Sequence, residues 1–91
     1  MDAAQREKRL EAWIACHGDA VLRVCYLTLL DMREAEDAAQ ETFLRAWRFM
    51  ERYEGRGDKT WLMRIALNVC RDMRRSRWAR HVDLARALDE L

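Results

Sequence analysis

Apolar positions along this chain recur at helical spacing, and no stretch alternates as a strand would. Leu62, Ile65, Ala66, Val69 and Met73 fall at i, i+3, i+4, i+7 and i+11, one face of a helix. They predict a long helix from about Trp61 to beyond Arg75. Upstream, Ala35, Ala39, Phe43, Ala46, Trp47 and Met50 form a second such line. Its helix opens at Asp31-Met32-Arg33-Glu34, which reads as a capping box with aspartate as cap, and runs to about Tyr53. The N-terminal third divides in two. A helix from near Ala3 to Cys16 is closed by His17-Gly18, since glycine suits the left-handed position past a helix end, and Asp19 caps the next. That next segment, AVLRVCYLTLL, is apolar on nearly every side, as a helix enclosed by others would be, and is the expected central core element. Gly55 and Gly57 interrupt the pattern before the last long helix, with Asp58 or Thr60 as its cap. The tail HVDLARALDEL reads as one more short helix without a core partner. The expected fold is therefore all-α, a compact bundle of about four helices.

Composition agrees and narrows the function classes. The chain has 91 residues, no proline and only three glycines, which suits one small, loop-poor domain. So short a chain leaves little room for an enzyme cleft beside its own core, so a binding module is expected, not an enzyme. Cys16, Cys25 and Cys70 are odd in number and lack C-x-x-C spacing, which suggests neither a disulfide framework nor a zinc site and points to a reducing cytoplasm. His17 and His81 are too far apart to suggest a metal, and no cofactor is expected. No apolar run reaches transmembrane length, and MDAAQREKRLEAW has no signal-peptide core.

Charge then separates two surfaces. Between residues 31 and 42, Asp31, Glu34, Glu36, Asp37 and Glu41 stand against Arg33 alone, a balance of −4. Between residues 64 and 81, Arg64, Arg71, Arg74, Arg75, Arg77 and Arg80 stand against Asp72 alone, a balance of +5. One surface should meet a basic partner and the other a polyanion. Arg64, Asn68, Arg71 and Arg75 form a stripe opposite the apolar face of the last helix, which could also be simply a solvated face. Asp37 and Glu41 are like charges at i,i+4, mildly unfavourable in an isolated helix, which favours a functional role for them.

The stretch EGRGDKTW, residues 54–61, admits three chemistries. Arg56-Gly57-Asp58 spells an adhesion tripeptide, but that role needs an extracellular setting. A phosphate-binding loop would follow a strand and end Gly-Lys-Ser/Thr; here a helix precedes it, and Asp58 separates Gly57 from Lys59 and would repel phosphate. What remains is a loop feeding Trp61 into the base of an arginine-striped helix, the equipment that grips unstacked bases. On pattern alone Trp61 reads more readily as a core residue, as helical aromatics mostly are.

These residues carry a resemblance. REAEDAAQETFLRAWRFMERYEG followed by KTWLMRIALNVCRDMRRS closely resembles region two of the extracytoplasmic-function class of bacterial RNA polymerase sigma factors, from about Ala12 to Arg80. The resemblance implies that residues 1–80 bind core polymerase and recognise and melt the minus-ten promoter element, with 81–91 starting a linker toward a region-four domain that nothing here matches. It assigns contact with the beta-prime clamp helices to Glu36, Asp37, Gln40, Glu41 and Arg45. It implies that the loop Glu54, Gly55, Arg56, Gly57, Asp58, Lys59 holds a base flipped from the non-template strand, with Trp61 at the pocket edge or in the core beneath, and that Arg64, Asn68, Arg71, Arg74 and Arg75 face the DNA. Family loops commonly carry serines and a hydrophobic residue where this one reads RGDK, about one residue shorter. Anti-sigma factors of the family usually cover the same two surfaces, though no residue here identifies one. Two alternatives stand beside this reading: a protein-interaction fragment such as an anti-sigma target, and a helical regulator of intact duplex, against which the lack of a helix-turn-helix counts.

Overall fold

The computed structural model describes residues 1–91. Three α-helices and one short 3-10 turn make up the chain: α1 Ala3–Leu29, α2 Met32–Arg48, the turn Met50–Arg52, and α3 Asp58–Asp89. The all-α bundle expected from the pattern is thus present, with its boundaries redrawn in four places.

The first is Gly18, which does not end a helix. Trp13, Val21, Cys25 and Leu29 continue one buried stripe in phase across it. Packing of that stripe offsets the roughly 1 kcal/mol by which glycine disfavours a helix interior. The helix ends instead at Leu30, whose φ of 57° and ψ of 30° are left-handed and whose N–H donates to the Tyr26 carbonyl. Its start is closed by a reciprocal box, Gln5 N–H to Asp2 Oδ1 at 2.8 Å and Asp2 N–H to Gln5 Oε1 at 3.0 Å.

The second concerns AVLRVCYLTLL, which is not enclosed on all sides. Val21, Cys25 and Leu29 are buried, but Leu27 is 65% and Leu30 74% exposed. In a bundle of three helices each keeps an outer face. Third, α2 opens at the expected aspartate cap, Asp31 accepting from the Glu34 N–H at 2.9 Å, but the reciprocal half of a capping box is missing because the Glu34 carboxylate pairs with Arg77; the helix closes at Arg48, and the chain reaches Tyr53 through the 3-10 turn. Fourth, α3 starts at Asp58, capped by Gly57 in the left-handed region with no side-chain cap bond, and runs unbroken through the tail that reads as a separate helix.

The core is one cluster at the junction of the three helices, including Leu62, Ala66, Val69 and Cys70 of α3, Ala35, Ala38 and Ala46 of α2, and Met50 from the turn. Alanines on α2 let its backbone approach its neighbours closely. Thr42, the one buried polar residue, satisfies its hydroxyl by donating to the Ala38 carbonyl at 2.7 Å. Beside it Cys25 and Cys70 meet across α1 and α3. Burial, then the charge and hydrogen bond of Cys70, push the Cys25 thiol up to about 12, partly opposed by a hydrogen bond with Thr42. Cys25 is therefore a neutral packing group at physiological pH.

At 32 residues, α3 is about 48 Å long at 1.5 Å per residue. That length gives the molecule its 56 × 23 × 19 Å shape, with the last turns reaching beyond the bundle.

Candidate nucleic-acid interface

The acidic surface lies on the outer side of α2. Glu36, Asp37 and Gln40 are exposed, and Glu41 is half-buried beside them. Arg45 is turned inward: its Nε reaches Glu41 Oε1 at 3.2 Å and its Nη1 reaches Asp72 Oδ2 at 3.2 Å. It therefore ties α2 to α3 and neutralises part of the acidic cluster. A second tie joins Arg77 of α3 to Glu34 at the start of α2.

Around the loop, three aromatics from three elements meet. Trp13 of α1 stands edge-on to Tyr53, with centroids 5.4 Å apart and an interplanar angle of 86°, and Trp61 of α3 lies 5.4 Å from Trp13 and 5.0 Å from Tyr53. Trp13 is buried and Trp61 half-buried, so Trp61 is both packing partner and surface. Asp58 fastens this cluster to the loop. Its carboxylate accepts from the Trp13 indole N–H at 3.1 Å and from the Tyr53 hydroxyl. The Tyr53 hydrogen bond first holds the Asp58 carboxyl below its ordinary range; burial opposes it, and the Trp13 hydrogen bond and the charges of His17 and Arg9 add to the lowering. The same bond, with burial and the Asp58 charge, raises the Tyr53 hydroxyl. Asp58 thus organises the loop from within.

Gly55 and Gly57 turn the chain over this platform with φ of 79° and 72°. Between loop and helix opens a cavity of about 270 Å³ lined by Arg52, Tyr53, Glu54, Arg56, Trp61 and Arg64, with Thr60 at its wall. It combines aromatic faces with three guanidinium groups, a setting suited to a planar base and its phosphate. Lys59 lies outside it, lining a shallow neighbouring cleft with Arg64. Arg52, Tyr53 and Thr60 are cavity residues that sequence reasoning missed. The first two read as the end of a helix, and the 3-10 turn carries them to the cavity wall, where Tyr53 meets Trp61.

Farther along α3, Arg71, Arg74 and Arg75 are exposed, and Arg71 donates to the half-buried Asn68 at 2.7 Å. Here a larger groove of about 680 Å³ runs between α3 and Thr28 at the end of α1, lined by the three arginines with Arg77, Trp78, His81 and Leu67. Trp78, His81 and Thr28 have no sequence signal that would place them in one groove except the presence of a tryptophan within an arginine run. No helix of the structure is long and apolar enough to cross a membrane.

Residues 5–80 match the family described as Sigma-70 region 2. Among curated proteins, the chain is 45% identical over 51 residues to the ECF RNA polymerase sigma factor SigG of Mycobacterium tuberculosis, covering 55% of this chain and 14% of that protein. It is 34% identical over 79 residues to ECF RNA polymerase sigma factor SigE of Mycolicibacterium smegmatis, covering 84% of this chain and 31% of the relative. To SigW of Bacillus subtilis, also an ECF RNA polymerase sigma factor, it is 42% identical over 55 residues, 59% of this chain and 29% of the relative. The chain thus spans less than a third of the length of each of these relatives. No solved structure matches it.

Proposed function

Because the chain belongs to the Sigma-70 region 2 family, we propose that it is a promoter-opening module that works by binding, with core RNA polymerase supplying the chemistry. The outer face of α2, through Glu36, Asp37, Gln40 and Glu41, docks on the basic clamp helices of the beta-prime subunit, and Arg45 sets the charge of that face from beneath. The loop 54–59 and the arginine side of α3 take the non-template strand of the minus-ten element. Strand separation follows from trapping: a base held unstacked in the loop cavity cannot return to the duplex, so binding energy offsets the few kcal/mol of unpairing. An anti-sigma factor covering both surfaces would block both steps.

The observation that carries this reading is the cavity formed by Tyr53, Trp61, Arg52, Arg56 and Arg64, which joins stacking faces to cations at the loop the family resemblance marks. The test is whether the domain binds a single-stranded non-template oligonucleotide more tightly than the same sequence as duplex, with the preference set at one base position. Exchanging residues 54–59 for the loop of a relative with different promoter preference should move that base preference and leave polymerase binding unchanged. A folded, polymerase-binding chimera that keeps the original preference would return the loop to a mere connector.

A further inference from the structure

Of the four tryptophans, three are accounted for. Trp13 and Trp61 belong to the aromatic platform, and Trp47 is half-buried beneath the Arg6 guanidinium, 4.6 Å from its ring centroid. Trp78 is 68% exposed and touches no core residue cluster. Its ring lies 6.2 Å from that of His81 with an interplanar angle of 26°, and both rings line the groove. A large aromatic left in water is the informative exception to burial.

Its position along α3 is as telling as its exposure. Arg64, Asn68, Arg71, Arg75 and Trp78 fall at i, i+4, i+7, i+11 and i+14, a single stripe along the helix. Trp61 stands one turn before its start, so the stripe begins and ends in tryptophan. Arg74 and Arg75 have no carboxylate partner, whereas Arg77 is paired with Glu34 and Asp72 with Arg45. Of the groove's four arginines only Arg77 is paired with a carboxylate, which leaves Arg71, Arg74 and Arg75 to make it positive.

We propose that this groove is a second nucleotide subsite, in which a base of the same single strand stacks on Trp78 while Arg71, Arg74 and Arg75 take the flanking phosphates. The proposal rests on the reading that the loop and α3 bind single-stranded DNA. Seventeen residues separate Trp61 from Trp78, about 25 Å of helix. At the roughly 3.4 Å rise of a fully stacked strand, the two held bases lie at most about seven nucleotides apart, and fewer where the strand is extended.

The experiment uses the 91-residue chain and fluorescent oligodeoxynucleotides of the preferred sequence, four and twelve nucleotides long. Trp78→Ala should weaken binding of the twelve-mer by roughly 5- to 150-fold, the effect of removing one base-stacking aromatic. It should leave the four-mer, confined to the loop, unchanged. Trp78→Phe should restore most of the loss. The salt dependence should not change in Trp78→Ala, because no cation is removed, whereas Arg75→Ala should flatten it by about 0.7 in slope. A scan with single abasic sites needs no variant: the wild-type chain should be sensitive at the loop position and at a second position several nucleotides away, up to about seven, and Trp78→Ala only at the first. Trp78→Ala binding the twelve-mer like wild type, or a scan with no second sensitive position, overturns the subsite while leaving the loop reading intact. Loss of base preference at the loop with the Trp78 dependence retained overturns the loop reading alone. Competition by ATP stronger than by the unlabelled twelve-mer would assign the groove to a free nucleotide and refute a strand.

Discussion

The three glycines provide a test in which one substitution has opposite signs at two sites. Gly18 lies inside α1 in helical conformation, and a Cβ built there would meet only Ile14 Cγ2, at 3.8 Å, an ordinary contact. Gly18→Ala therefore removes backbone freedom from the unfolded chain without strain, a gain of about 0.4–1 kcal/mol. At Gly57 the added Cβ would also find room, 3.8 Å from Thr60, but φ is 72°, and an L-residue held in the left-handed region costs roughly 1–2 kcal/mol. For a domain of this size each kcal/mol moves Tm by about 4–8 °C. Gly18→Ala should thus raise Tm by about 2–8 °C and Gly57→Ala lower it by about 4–16 °C, measured by far-UV circular dichroism at one protein concentration. A fall in Tm for Gly18→Ala would mean that the chain is left-handed there and that α1 is two helices after all. An unchanged Tm for Gly57→Ala would refute the left-handed entry to α3 on which the loop cavity depends.

Reversing Asp37 and Glu41 to lysine should abolish retention by core polymerase in a pull-down while costing about 1 kcal/mol or less, the lost surface pair of Glu41 with Arg45 plus the new i,i+4 repulsion of Arg45; unchanged retention of the folded variant removes these residues from the docking face. The Tyr53–Asp58 bond fixes a pH window. Asp58 is held below its ordinary 3.8, so its contribution is complete above that value and is lost as pH falls through the lower folded one. Tyr53 is raised above its ordinary 10.0, so its contribution is complete below that value and disappears as pH rises through the higher folded one. The Tm advantage of wild type over Tyr53→Phe should therefore be level between these limits and narrow beyond both; an advantage that persists undiminished in strong acid refutes the pairing.

What the sequence made legible was short-range. The Asp31 cap is declared within four residues, and Leu62, Ala66 and Val69 announce their burial by spacing alone, although Ile65 and Met73 on the same line are only half-buried. Gly18-Asp19 follows a sound local rule that tertiary packing overrides. Leu30 terminates α1 in a conformation nothing about leucine suggests. Asp58 reads as a helix cap, but its carboxylate takes Tyr53, five positions back, and Trp13, 45 positions away, the second beyond any local pattern. The candidate site divides the same way: the arginine stripe and acidic face follow from helical periodicity, whereas both cavities need residues from separate elements, Tyr53 beside Trp61 and Thr28 beside Trp78.

The length of α3 implies that it is one helix in shape and two in stability. Its first half is bolted to the bundle through Leu62, Ala66, Val69 and Cys70, and the last tie to α2 is the Arg77–Glu34 pair. Beyond that pair every residue except Val82 is exposed, and a dozen residues without packing make a marginal helix in water. Amide protons early in α3 should exchange only when the whole domain opens, while those past Arg77 exchange by fraying, close to the rate of an unstructured peptide. A partner laid along that end therefore meets a segment it must first hold still, and its affinity is reduced by the entropy of ordering those turns.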